Sequence, residues 1–169
     1  MKPDFETLAE QHSHEIYVYL WRMLGDTQDA EDCLQDTFLR AYKAYKRLDE
    51  KANTRAWLYK IATNVARTHL KKRSRTTSRT SDLDPQLLGQ NPNLDINLDT
   101  AQQLEEVSAA VQLLPEKQQA ALMMRKYQEL SYPEIATALK TSEESARANV
   151  YQALKKLRKQ FAAQVQVTP

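Results

Sequence analysis

Ser145, Arg147, Ala148, Asn149 and Gln152 lie on a stretch where Ala146, Val150, Ala153, Leu154 and Leu157 are apolar at helical spacing. The apolar set turns inward and the polar set faces out. A hydroxyl, a guanidinium and two amides on one exposed helix face can read base edges in a DNA groove. They offer no nucleophile, general base or metal ligand set. The segment before them, LSYPEIATALKTSEE, positions that helix. Ser131 and Glu134 have the spacing of a capping box, and Pro133 falls in the first turn, where a missing N–H costs little. A short helix carrying Ile135, Ala136 and Leu139 should stop near Lys140. Thr141 and Glu144 are expected to form a second capping box. Lys155, Lys156, Arg158 and Lys159 follow as a basic tail. Two short helices and a polar turn are the layout of a DNA-binding helix-turn-helix, whose second helix enters the major groove by its N-terminal end. The alternative is a helical hairpin with a solvated face.

A second set of basic and amide side chains precedes it. Lys60, Asn64, Arg67 and Lys71 recur at spacings of three or four and share one helix face. With Trp57 and Tyr59 nearby, that face suits phosphates and unstacked bases; a merely solvated surface is the alternative. The helix that presents it is predicted from Thr54 to Arg73, with Trp57, Leu58, Ile61, Ala62, Val65 and Leu70 inward. Two earlier helices complete this part. The first carries Phe5, Leu8, Ile16, Tyr17, Leu20 and Leu24 and stops at Gly25. The second is capped by Asp26 or Thr27 and has Asp29, Glu31 and Asp32 in its first turn, where the helix dipole favours negative charge. Its core positions are Ala30, Leu34, Phe38, Ala41 and Tyr45, and the stretch from Leu48 to Asn53 is a polar loop.

Charge divides the chain. Lys71, Lys72, Arg73, Arg75 and Arg79 form a basic run, and Thr80 through Glu116 contain no Lys or Arg at all. Pro85, Gly89, Asn91 and Pro92 fall in that acidic stretch, which reads as a flexible linker between two modules. The helical pattern resumes with Leu104, Val107, Val111 and Leu114, and a further helix is expected near 116–127. The fold class expected is therefore all-α, as two small helical domains over 1–75 and 100–169 joined by a linker over 76–99.

Other classes are weak. With only two glycines in 169 residues, an all-helical chain is favoured. No apolar run approaches the roughly 20 residues needed to span a bilayer, and no signal-peptide core opens the chain, so membrane insertion is not expected and a cytoplasmic setting is. Cys33 is the single cysteine and is expected to pack as a small apolar side chain. His12 and His14 stand two apart and do not share a helix face, and His69 reads as helix surface, so no catalytic residue, metal ligand or cofactor is expected. A regulator that binds DNA by itself is the rival to the reading below.

Three blocks, DAEDCLQDTFLRAYKAY, TRAWLYKIATNVARTHLKKRSR and LPEKQQAALMMRKYQELSYPEIATALKTSEESARANVYQALKKLRK, occur in that order. Together they resemble bacterial RNA polymerase sigma factors of the extracytoplasmic-function type, in which a region 2 and a region 4 are joined by a linker. The resemblance implies a promoter-recognition and initiation subunit, with core polymerase, promoter DNA and an anti-sigma factor as partners. Asp32, Gln35 and Asp36, on an acidic face expected to be otherwise unpaired, match the segment that binds the beta-prime clamp helices, with Arg40 and Tyr42 on its continuation. Asn53, Arg55, Trp57, Lys60, Asn64 and Arg67 match the surface that captures and melts the minus-ten element. Ser145, Arg147, Ala148, Asn149, Gln152 and Lys155 match the minus-thirty-five recognition helix. The second domain would also meet the beta flap, and the acidic linker would thread into the RNA-exit path.

The sequence departs from the family at two places. Lys140 stands where such proteins often have glycine, and Glu144–Asn149 replaces a common G-T-V-K-S-R run. The second departure bears on base preference, since Ala148 replaces a hydroxyl and Asn149 a basic residue. Glu143 and Glu144 would either repel phosphate or accept from a cytosine amino group.

Overall fold

A computed structural model describes residues 2–77 and 106–165. Helix α1 (Phe5–Leu24) starts behind Asp4, whose carboxylate accepts from the Thr7 amide at 2.9 Å. It stops at Gly25, whose φ of 73° closes the last turn onto Trp21 O, a conformation glycine adopts without steric cost. Asp26 caps α2 (Thr27–Tyr45), and of the three acids expected in its first turn only Asp29 lies there. Asn53 caps the third helix, α3 (Thr54–Thr77), by accepting from the Ala56 amide at 3.0 Å. This helix runs one turn beyond the expected end at Arg73. Arg73 does not continue a free basic face: it bonds Leu24 O at 2.7 Å and sits 3.4 Å from Asp29, fastening α3 to the other two helices.

The second half begins with α4 (106–112), followed by α5 (Glu116–Leu122). The chain continues from α5 into a wider π-helical turn, Met123–Tyr127. After it come α6 (Tyr132–Leu139) and α7 (Glu143–Val165). The linker expected over 76–99 lies, from 78 on, outside the described residues. Among the described residues no helix is long and apolar enough to cross a membrane.

The cores of the two halves run together. Ile16, Leu20, Leu24, Leu58, Ala62 and Val65 join Leu130, Ile135, Leu139, Ala146 and Val150 in one cluster of buried residues, and α6 lies along α3. On α2 the buried line is Ala30, Cys33, Thr37, Ala41 and Tyr45, while Leu34 and Phe38 are half-buried beside it. Thr37 can occupy a core position because its hydroxyl donates to Cys33 O at 2.7 Å, leaving no polar atom unsatisfied. Cys33 packs as expected. Burial and the carboxylates of Asp29, Asp36 and Asp32 push its thiol up to about 11, which leaves it unreactive.

The turn between α6 and α7 explains one departure and corrects one expectation. Lys140 has φ 55°, the left-handed conformation that suits glycine, and lies just past the end of α6. The Thr141 amide bonds Ala136 O at 2.9 Å and so closes α6. The Thr141 hydroxyl donates to Ser142 O at 3.1 Å and does not cap the next helix. Ser142 takes that role, its hydroxyl accepting from the Ser145 amide at 3.1 Å. The Ser131–Glu134 capping box at the start of α6 is present in full. Ser142→Ala should therefore lower unfolding stability by about 1 kcal/mol, and Thr141→Ala by much less. Thermal unfolding of the two variants checks this order; equal losses would return the cap to Thr141.

Candidate nucleic-acid and polymerase interfaces

The α7 face is built as the sequence predicts. Ala146, Val150 and Ala153 are buried, and α7 packs against α5 and α6. That burial turns Ser145, Arg147, Ala148, Gln152 and Lys155 to solvent, with Asn149 half-buried among them. Arg147 is 59 % exposed, lies 3.9 Å from Glu143 and stands 5.0 Å over the Tyr132 ring. Stacking on a ring holds a guanidinium planar and projecting without desolvating it. Tyr132 supports Arg125 in the same way, at 4.3 Å. Sequence reasoning missed Tyr132, because its contact with Arg147 depends on the angle between two helices. Lys156, Arg158 and Lys159 are exposed farther along α7.

On α2, Asp32, Gln35 and Arg40 are exposed and Asp36 is half-buried. The face is not free of basic partners: Arg40 Nε donates to Asp36 at 3.1 Å, one helical turn away. Exposed pairs of this kind are worth about 0.3–0.5 kcal/mol and are readily exchanged for another partner. Leu39 and Tyr42 are 55 % and 64 % exposed beside them. Leu39 was not singled out from sequence; its helical position, one turn past Gln35, was the available signal.

The α3 face differs most from expectation. Asn64 and Lys71 are exposed and Lys60 is half-buried, as a strand-binding surface needs. Trp57 is half-buried with its ring 6.2 Å from that of Tyr45, so it packs on the core. Tyr59 is fully buried and is unavailable for stacking on bases. Asn53, Arg55 and Arg67 all meet the second half of the chain. Asn53 Nδ2 lies 3.4 Å from Glu134, Arg55 Nη1 3.5 Å from Glu134, and Arg67 Nε 3.5 Å from Glu116. The Arg67 pair attracts without hydrogen-bonding, and Nε and Nη2 of Arg67 are buried.

Behind these contacts is a polar junction that sequence reasoning did not find. Gln128 Nε2 donates to Glu15 O at 3.0 Å and to the Tyr59 phenol at 2.8 Å. Its Oε1 accepts from Arg22 at 2.7 Å, and its carbonyl accepts from Arg55 at 2.8 Å. Tyr59 and Arg55 both donate to Glu15 Oε1, at 2.8 and 2.9 Å, and His12 Nδ1 lies 2.8 Å from Glu15 Oε2. Burial pushes the Glu15 carboxyl up, but His12, Tyr59 and Arg55 outweigh it and hold the carboxyl below its usual range. Burial opposes ionisation at Glu134 too; bonds from Ser131 and the charge of Arg55 again outweigh it. Tyr59 is held as a neutral phenol, raised first by burial and also by Glu15.

Both carboxylates have folded pKa values below the ordinary 4.5. Their stabilising contribution is complete above that value and is lost as pH falls through the lowered one. Melting temperature should accordingly decline on acidification below about pH 4.5, and Glu15→Gln should make that decline shallower. A pH–stability slope identical in both proteins would remove Glu15 from the account.

Residues 8–76 match sigma-70 region 2, and residues 104–157 match sigma-70 region 4. The RNA polymerase sigma-H factor of Pseudomonas aeruginosa is 31% identical over 160 residues, covering 90% of this chain and 83% of that protein. The ECF RNA polymerase sigma factor SigG of Mycobacterium tuberculosis is 32% identical over 161 residues, covering 82% of this chain but 44% of that longer protein. Among solved structures, the sigma factor RpoE of Bartonella quintana, crystallised with the anti-sigma factor NepR, superimposes with a TM-score of 0.71. That match covers 98% of this chain and 99% of the other at 18% identity, and so speaks to the fold. Two regions matched in order and relatives of 31% and 32% identity agree: the chain belongs to the extracytoplasmic-function group of the sigma-70 family, the non-enzymatic subunits that direct bacterial RNA polymerase to promoters.

Proposed function

We propose that this sigma factor divides its work among three faces. The α2 face, Asp32, Gln35, Asp36 and Arg40 with Leu39 and Tyr42 beside them, grips the beta-prime clamp helices of core polymerase. Charge and exposed apolar area together suit an interface with an apolar centre and polar rim. The α3 face, Asn53, Arg55, Lys60, Asn64 and Arg67, holds the non-template strand at the minus-ten element once bases unstack; Trp57 supports it from the core. The α7 face, Ser145, Arg147, Ala148, Asn149, Gln152 and Lys155, reads the minus-thirty-five element. The domains are taken as 1–75 and 100–169, with 76–99 between them. The cytoplasm, where polymerase works, is the expected setting. An anti-sigma factor is the expected antagonist, and the beta flap the expected contact of the second domain.

The observation that carries the reading is Arg147, projecting from the exposed start of α7 on a Tyr132 shelf while Ala146 and Val150 anchor the helix behind it. A guanidinium so placed can make two hydrogen bonds to guanine O6 and N7, worth about 1–3 kcal/mol of discrimination. Lys155 lies farther along and suits phosphate, which sets affinity without sequence.

Two outcomes follow for variants. Arg147→Ala should relax preference at one base position in a selection over randomised upstream elements, whereas Lys155→Ala should weaken all sequences alike and reduce the salt dependence. An unchanged preference in Arg147→Ala would transfer the reading role to Ser145, Asn149 or Gln152. Replacing Asp32, Gln35 and Asp36 together by Ala should weaken co-purification with core polymerase while leaving helicity intact. Undiminished recovery of core would exclude the α2 face.

A further inference from the structure

Lys2 and Pro3 form a strap over the far end of α2. Lys2 Nζ donates to Tyr45 O and to Leu48 O, each at 2.8 Å, and lies 4.6 Å over the Tyr45 ring. Tyr45 answers through its hydroxyl, which donates to Pro3 O. Phe5, where α1 begins, adds edge contacts to the rings of Tyr42 and Tyr45, at 5.3 and 5.6 Å. Tyr45 is buried, and its ring stands 6.2 Å from that of Trp57 on α3. The strap thus bears on the passage from α2 to α3, although 43 and 46 residues separate Lys2 from the carbonyls it meets.

A lysine suits this place. The last carbonyls of a helix have no partner within it and carry partial negative charge. An ammonium has three donors and no acceptor, so it can close two carbonyls and still face a ring. Tyr45 is the last residue of α2, and Leu48 opens the loop that follows. Lys2 therefore ties a helix end to the first part of a loop.

That loop has few other anchors. Its local bonds run from Leu48 N to Tyr45 O, Ala52 N to Asp49 O and Lys51 N to Asp49 Oδ1, at 3.1, 3.0 and 3.0 Å. They shape its turns but do not fix where it sits on the domain. Leu48 packs against the core, while Asp49, Glu50 and Lys51 are exposed. Segments with so few buried contacts open locally at low cost. The loop ends at Asn53, whose Oδ1 caps α3 through the Ala56 amide, leaving Nδ2 to face a base. Asn53 can present Nδ2 in one direction only if the loop reaches α3 along one path.

We propose that Lys2 is a positioning residue for minus-ten recognition: by holding Leu48 to the end of α2, it fixes the loop whose last residue, Asn53, meets the base. The proposal rests on the assignment of Asn53 to the minus-ten strand. Lys2 acts through the loop and not by contact with DNA. Asp32, Gln35 and Asp36 lie earlier on α2, so the grip on core polymerase is independent of it.

The test compares full-length wild-type, Lys2→Met, Lys2→Arg and Asn53→Ala proteins, each with purified core polymerase. Run-off transcription is read from a promoter found on genomic fragments and randomised over its minus-ten element, and thermal unfolding of each protein is measured beside it. Lys2→Met should co-purify with core as wild type does. It should lose about tenfold of the preference at the base position that Asn53→Ala relaxes, the scale of one hydrogen-bonded base contact. Lys2→Arg, which can still donate to both carbonyls, should restore that preference. Unchanged preference in Lys2→Met beside a relaxed one in Asn53→Ala would overturn the proposal and leave Lys2 a helix cap alone. Equal loss in Lys2→Met and Lys2→Arg, spread over all positions and matched by a fall in unfolding temperature, would overturn it as general destabilisation. Unchanged preference in Asn53→Ala would remove the assignment beneath the proposal, and the proposal with it.

Discussion

The structure depends on how a buried glutamine satisfies its hydrogen bonds. Gln128 sits between two helical units, and a buried amide without partners would cost about 1–3 kcal/mol for each unmet group. Glu15, Tyr59, Arg22 and Arg55 meet that demand, and each comes from the first unit. Tyr59 is itself buried, so its phenol needs Glu15 and Gln128 as much as they need it. Arg55 completes the set by linking Glu15 and Glu134. The apolar contact between α3 and α6 supplies undirected attraction; the junction fixes which residues meet. Such a network selects this packing over other dry packings of the same helices, which would leave polar groups unmet.

That selection has a functional edge. The side chains that suit a phosphate backbone, arginine and amide donors, are also those a neighbouring carboxylate can capture. At the start of α3, Asn53 and Arg55 lie within 3.5 Å of Glu134 at the start of α6. Glu134 shows how little sequence is needed for this. It closes the capping box of α6 through Ser131 and turns its other oxygen to Asn53. One carboxylate both closes a helix start and engages the neighbouring helix. On the α7 face, among the described residues, Arg147 meets Glu143 on its own helix, at 3.9 Å, and the Tyr132 ring.

Local patterns in the sequence carried most of the fold. Gly25, Asp26 and the Ser131–Glu134 box act within a few residues, and helix ends follow from them. The inward set of α7 was legible for the same reason, since Ala146, Val150 and Ala153 repeat at the helical period. The Thr141 cap failed because two helix ends compete for four residues. The left-handed Lys140 and its following amide settle that contest in favour of Ser142. The junction was not legible. Gln128 bonds residues more than 60 positions away, and nothing in YQELS distinguishes it from a solvent-facing glutamine. Tyr59 misled in the opposite sense, because an aromatic next to basic residues reads as a stacking platform until its partner is known.

Run-off transcription by purified core polymerase with this protein on genomic fragments tests the central claim most directly. New start sites that share two elements, one melted and one read as duplex, are the expected result. Start sites unchanged from those of core alone, together with tight duplex binding by the isolated protein, would contradict it. They would identify a regulator that acts without polymerase.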